Sequence, residues 1–165
     1  MDQNLIIDVF NECFLESEQT RLVGGAREPW YEPISAAGEA AVLYCRADYH
    51  ASALHETAHW CLATPKQRAL TDFGFSYIAP PRTLAQQRRF FELELPVQSL
   101  EAFFSEAAGV EFRVSSDSFD EAHVDLINEF EREVTNHRSH TYDWLSTPEG
   151  ARAKQFSTVL KLRRD

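Results

Sequence analysis

The chain has 165 residues, 44% of them hydrophobic and 25% charged, the size and texture of one globular domain, residues 1–165, and neither a disordered nor a collagen-like protein. Its formal net charge of −10, from 26 acidic and 16 basic residues, argues against non-specific binding to nucleic acid or to an anionic membrane and suits a cationic partner. Three cysteines, Cys13, Cys45 and Cys61, without regular spacing form no disulfide framework, which together with an acidic, non-cleavable-looking N-terminus predicts a cytoplasmic protein without a membrane span.

In chain order, Leu5, Ile6, Val9, Phe10 and Cys13 make one apolar stripe, so residues 5–14 are predicted helical. Gly24, Gly25, Pro29, Pro33 and Gly38 punctuate the next stretch, which reads as a loop with short extended pieces. Ala41–Cys45 is a predicted strand. A helix over about Ala51–Ala63 follows and is ended by Thr64-Pro65; one more turn is expected over Lys66–Leu70. Three aromatics lie between Phe73 and Ile78 before Pro80-Pro81, and Thr83 is a fitting cap for a helix through Phe91. Pro96 reads as the first residue of another helix that Gly109 stops after Ala108. Phe112–Ser115 is a predicted strand, Asp120 or Glu121 opens one long helix to about Leu145, and Pro148–Leu162 forms the last helix. Helices dominate, with a few short strands. The expected class is α+β in a single compact domain.

The segment that carries chemistry is Leu54-His55-Glu56-Thr57-Ala58-His59-Trp60. On a helix, residues four apart share a face, so both imidazoles can reach one metal ion, and an HExxH pattern inside an apolar helix is rarely accidental. Ala51, Leu54, Ala58 and Leu62 form the buried stripe, with His55 and His59 at its edge. The third ligand must come from elsewhere: Glu92, Glu94, Asp72, His50, Asp117 and His140 are the candidates. His137 and His140 stand in a polar run and read as a solvated face. The third ligand decides the chemistry. Two histidines and a carboxylate with open positions suit Fe(II) and O2, whereas a tetrahedral zinc site suits hydrolysis, with Glu56 as general base. Sequence leaves that choice open. No P-loop, GxGxxG or Gly-x-Ser-x-Gly is present.

The run from Tyr49 through Cys61 resembles the signature of the bacterial elongation factor P hydroxylases. Asn11-x-Cys13-Phe14, Thr20-Arg21-Leu22, Glu28-Pro29-x-Tyr31, Asp72-Phe73-Gly74 with Tyr77, Gln98-x-Leu100, Ala107-Ala108-Gly109 and Phe112-x-Val114-Ser115-x-Asp117 extend the likeness in order. It covers about Leu5 to Asp120; the last forty residues match poorly, and His50 departs from the pattern and reads as a surface residue. The resemblance implies a fold similar to that of a bacterial metal-dependent ribonuclease, and a non-haem Fe(II) site that uses O2 to hydroxylate a lysine of elongation factor P already carrying a β-lysyl group. By position, the metal ligands would be His55, His59 and Glu94, with Glu92 the alternative two residues away. Glu56 and Asp72 would hold the substrate amines or orient the histidines. The competing readings are a zinc-dependent HExxH peptidase, a metal-dependent ribonuclease, which the negative charge disfavours, and a non-catalytic metal-stabilised module.

Overall fold

A computed structural model describes residues 1–47, 49–118 and 120–164. Helix α1 (Gln3–Phe14) is followed by strands β1 (Thr20–Ala26), β2 (Trp30–Glu32) and β3 (Ala41–Arg46) and by helices α2 (His50–Leu62) and α3 (Pro65–Arg68). Then come α4 (Leu84–Ala108), α5 (Val124–Asn136), α6 (Arg138–Leu145) and α7 (Ala151–Arg164). The sheet order is β1-β3-β2, with β1 parallel and β2 antiparallel to the central β3. This is the α+β class read from the sequence. Among the described residues no helix is long and apolar enough to cross a membrane.

Asp2 accepts the Leu5 N–H at 2.9 Å and starts α1. The helix buries Ile6, Val9, Phe10, Cys13 and Phe14 as its stripe predicts. The end of β1, residues 24–26, lies in the stretch read as a loop with short extended pieces. Its two glycines suit the strand for local reasons. A Cβ on Gly24 would lie 2.9 Å from the Ile7 side chain, and Gly25 takes a positive φ of 89° where the register slips between Val23 and Ala26. Glycine here allows a close approach to α1 and a bulge.

Helix α4 runs unbroken through Pro96, where the sequence suggested a new start. Proline removes one ladder bond, to the carbonyl of Glu92. Both Glu92 and Pro96 are on the exposed side, where water can satisfy that carbonyl, while Phe91, Glu94, Val97, Gln98, Glu101 and Phe104 bury the other side along the helix's length. Phe112–Ser115 is not a strand. The Gln98 side-chain amide takes a strand partner's place: it donates to the Ser115 carbonyl at 2.8 Å and accepts the Ser115 N–H at 3.0 Å. The long helix expected over 120–145 is a short turn, Glu121–His123, then α5 and α6 divided at His137. No buried side chain lies between Val134 and Thr141 to hold it as one rod.

The main core gathers α1, the sheet, α2, α4 and α7; a smaller cluster of Phe91, Leu126, Phe130 and Val134 joins α4 to α5. Fully buried Trp60 of α2 sits against Phe10 and Phe14. Arg152 of α7 lies 4.5 Å from its ring centroid and donates to the carbonyls of Trp60, Cys61 and Ala63. Arg68 donates to Ala63 as well, at 2.9 Å. These carbonyls end α2 and lack helical partners, so two cations complete the helix that bears His55 and His59. Arg152→Leu is expected to lower the unfolding free energy by about 2–3 kcal/mol in urea titration. A loss under about 0.5 kcal/mol would show that water replaces the guanidinium at no cost.

Candidate metal centre

Helix α2 projects His55 and His59 from consecutive turns toward α4, and α4 answers with Glu94. The two Nε2 atoms are 3.2 Å apart. Glu94 Oε2 lies 3.5 Å from His55 Nε2, and Oε1 lies 3.4 Å from His59 Nε2. Two ligand atoms about 2.1 Å from one ion, at angles from square to tetrahedral, are separated by about 3.0–3.4 Å. The three groups therefore fit a single divalent cation, and among the described residues they form the group able to hold one. Glu92, by contrast, is exposed and pairs with Arg89 at 2.7 Å. Neither His50 nor His140 converges on the site; His140 stacks on His137 with ring centroids 5.0 Å apart.

The neighbours of this trio fix its geometry. Glu94 is 2% exposed, so its charge needs donors. Tyr77 donates its hydroxyl to Oε1 at 2.9 Å, and Gln98 donates to Oε2 at 3.2 Å. His55 Nδ1 lies 2.8 Å from Glu101 Oε2. A carboxylate only accepts, which assigns a proton to Nδ1. Burial resists charge on Glu94, yet the His59 hydrogen bond, the charges of both imidazoles and the Gln98 contact prevail and hold its carboxyl down at about 2. Burial also resists charge on His55, but the hydrogen bond and charge of Glu101, with Glu94 and Glu56 adding, push it up to about 10. In the ion-free protein, then, a proton on His55 Nε2 stands where a cation would.

Glu56, beside His55, lines the same pocket, and burial pushes its carboxyl above the usual range. Asp72 lines it from the turn Thr71–Gly74, where Asp72, Phe73 and Gly74 all have positive φ, at 47°, 57° and 72°. Two non-glycine residues in this region mark local strain, of the kind found at functional sites. The turn lets Asp72 Oδ1 accept the Tyr31 N–H at 2.8 Å. It also stacks Phe73 on Tyr31 with centroids 4.3 Å apart. The pocket holds about 450 Å³. Trp30, Phe75, Tyr77 and Phe90 wall it, and Glu28, Glu56, Asp72 and Asp117 bring carboxylates to it against a single arginine, Arg46. Asp117 is engaged by buried Arg82 at 2.8 Å.

Sequence reasoning missed Gln98, Glu101 and the aromatic walls. Glu94, Gln98 and Glu101 are spaced by four and three, one face of a helix, but reading Pro96 as a helix start splits that face in two.

The sequence matches the pattern that defines the elongation factor P hydroxylases over residues 9–163. The chain belongs to the elongation factor P hydroxylase family. The match runs to residue 163 and so takes in nearly all of the C-terminal forty residues, where motif reading found little resemblance, and their clearest link to the site is Arg152 on α2. A curated relative, the elongation factor P lysine hydroxylase of Haemophilus influenzae, is 40% identical over 113 residues. That alignment spans 68% of this chain and 64% of the relative, just under two thirds of the relative's length.

The opposed shifts of Glu94 and His55 set a pH profile for the metal-free chain. Glu94, lowered from 4.5 to about 2, contributes stability above pH 4.5 that is lost as pH falls through 2. His55, raised from 6.5 to about 10, contributes stability below pH 6.5 that is lost as pH rises through 10. Urea unfolding in excess chelator should therefore show the fullest contribution of the pair between pH 4.5 and 6.5 and a decline from 6.5 to 10. A profile that does not decline over the alkaline limb would contradict the His55–Glu101 contact.

Proposed function

We propose that residues 1–165 act as a single cytoplasmic domain that hydroxylates a lysine of elongation factor P, the preferred substrate carrying a β-lysyl group, with Fe(II) held by His55, His59 and Glu94. The observation that carries this reading is the convergence of two imidazole nitrogens and one buried carboxylate beside an open pocket, in a chain of the hydroxylase family. That donor set leaves coordination positions free and suits non-haem iron. When bound, iron would supply the activation of O2 that acid–base side chains cannot provide. One oxygen atom enters the C–H bond and the other leaves as water, which takes two electrons and two protons from an external reductant. The zinc peptidase reading rests on the HExxH pattern alone.

The chain's own residues bind and orient. Tyr77 and Gln98 hold the two Glu94 oxygens apart, one toward each histidine. Trp30, Phe75 and Phe90 offer apolar faces to the methylenes of a long side chain and narrow the access of water. Asp72 has one oxygen committed to Tyr31, and its charge remains for a substrate ammonium. Burial pushes the Glu56 carboxyl above its usual range, and such a cation would draw it back down. Phe75 and Tyr77 are each 37% exposed at the pocket, and Ile78 and Leu84 further along are 56% and 55% exposed. Exposed apolar surface beside a pocket suits the docking of a protein substrate.

Incubating the iron-loaded protein with β-lysylated elongation factor P, O2 and a reductant should add the mass of one oxygen atom to the modified lysine. His55→Ala should abolish both iron binding and the mass gain. An unmodified mass with fully loaded wild-type protein would refute the assignment. Asp72→Asn keeps an acceptor for the Tyr31 N–H while removing the charge, so KM should rise about tenfold with metal content intact; unchanged kinetics would remove Asp72 from substrate binding.

A further inference from the structure

Glu101 is a buried carboxylate in contact with the candidate metal centre. It is 4% exposed on the inner face of α4, among Val97, Leu100 and Phe104. Among the described residues its hydrogen-bond partner is His55 Nδ1, at 2.8 Å. A carboxylate buried in apolar surroundings is costly unless a cation or a proton lies beside it, and here that partner is the His55 imidazole. What it does accomplish is local. By accepting from Nδ1–H, it fixes the tautomer whose Nε2 lone pair faces Glu94 and His59, and it sets the plane of the ring. It also brings a second negative charge. Together with Glu94, it would balance the charge of a divalent ion.

We propose that Glu101 is a positioning residue for the metal centre: it holds His55 as the Nδ1–H tautomer, and its charge strengthens the grip of His55, His59 and Glu94 on a divalent cation. This rests on the metal assignment above. Gln98 plays a different part, since it holds Glu94 and is itself held by both backbone groups of Ser115.

The test is a Co(II) titration of the metal-free wild-type chain and of Glu101→Ala, Glu101→Gln and Glu106→Gln, followed by visible absorption. Glu106 is exposed and pairs with Arg138 away from the site, so Glu106→Gln should match wild type. Glu101→Ala should bind about 10–100-fold more weakly, with an altered ligand-field spectrum. Glu101→Gln keeps the size of the side chain without its charge, and remains informative if the alanine variant does not fold; it too should bind more weakly. In zinc-loaded wild-type protein, nitrogen NMR should find the His55 proton on Nδ1. Affinities within about twofold of wild type in both Glu101 variants, with an unchanged spectrum, would overturn the proposal; so would a proton on Nε2. If the wild-type chain bound no cobalt, the metal assignment itself would fall; if it bound cobalt and the Glu101 variants did so equally, only the role of Glu101 would.

Discussion

Two helices meet across buried charge, and much of the molecule is arranged around that contact. His55 and His59 on α2 face Glu94 and Glu101 on α4, with separations of 2.8–3.5 Å. Carboxylates this deeply buried are tolerable only when cations or protons lie beside them. In the ion-free protein, protonated imidazole fills that need. A metal held there, as proposed, would take over that role, with Glu94 as its ligand and Glu101 as support. One electrostatic constraint thus ties folding to function: a side chain lost from this contact leaves a charge stranded in the core as well as a site incomplete.

The rest of the pocket is built by segments without regular structure, each pinned at a few points. The left-handed turn Thr71–Gly74 is held to β2 through Asp72 and Tyr31, and Tyr31 donates its hydroxyl to the Arg68 carbonyl at 2.9 Å. The stretch around Tyr77 is tied to the site by the Glu94 hydrogen bond. Arg82, 6% exposed, binds the Ile78 carbonyl and Asp117 while its guanidinium stacks 4.1 Å from the Phe90 centroid. Backbone is thereby fixed on the side of the histidines where the pocket opens. Rigid helices carry His55, His59 and Glu94; pinned loops shape the pocket beside them.

The histidine pair was legible because HExxH is a local pattern on one amphipathic helix. Glu94 was reached through family resemblance, since a carboxylate 35 residues beyond His59 in the chain leaves no periodic trace. Glu101 and Gln98 had such a trace, but Pro96 obscured it, because the rule that proline starts helices outweighed a polar face continuing past it. Strand β1 was hidden by Gly24 and Gly25, whose purpose is visible only once α1 lies against them. Phe112–Ser115 has the composition of a strand, yet the partner of Ser115 is a glutamine side chain, which no pattern of strand residues announces. Local periodicity gave the elements held by their own burial; those held by distant partners had to await the fold.

The clamp of Arg152 on α2 orders events in time. Arg152 follows Trp60, whose carbonyl it binds, by 92 residues. At a synthesis rate of roughly 5–20 residues per second, some 5–20 seconds pass between the making of the histidine helix and the arrival of its clamp. Until then, of the two cations, only Arg68 is there for the carbonyls at the end of that helix. If the imidazoles hold a metal as proposed, secure loading becomes a property of the finished polypeptide.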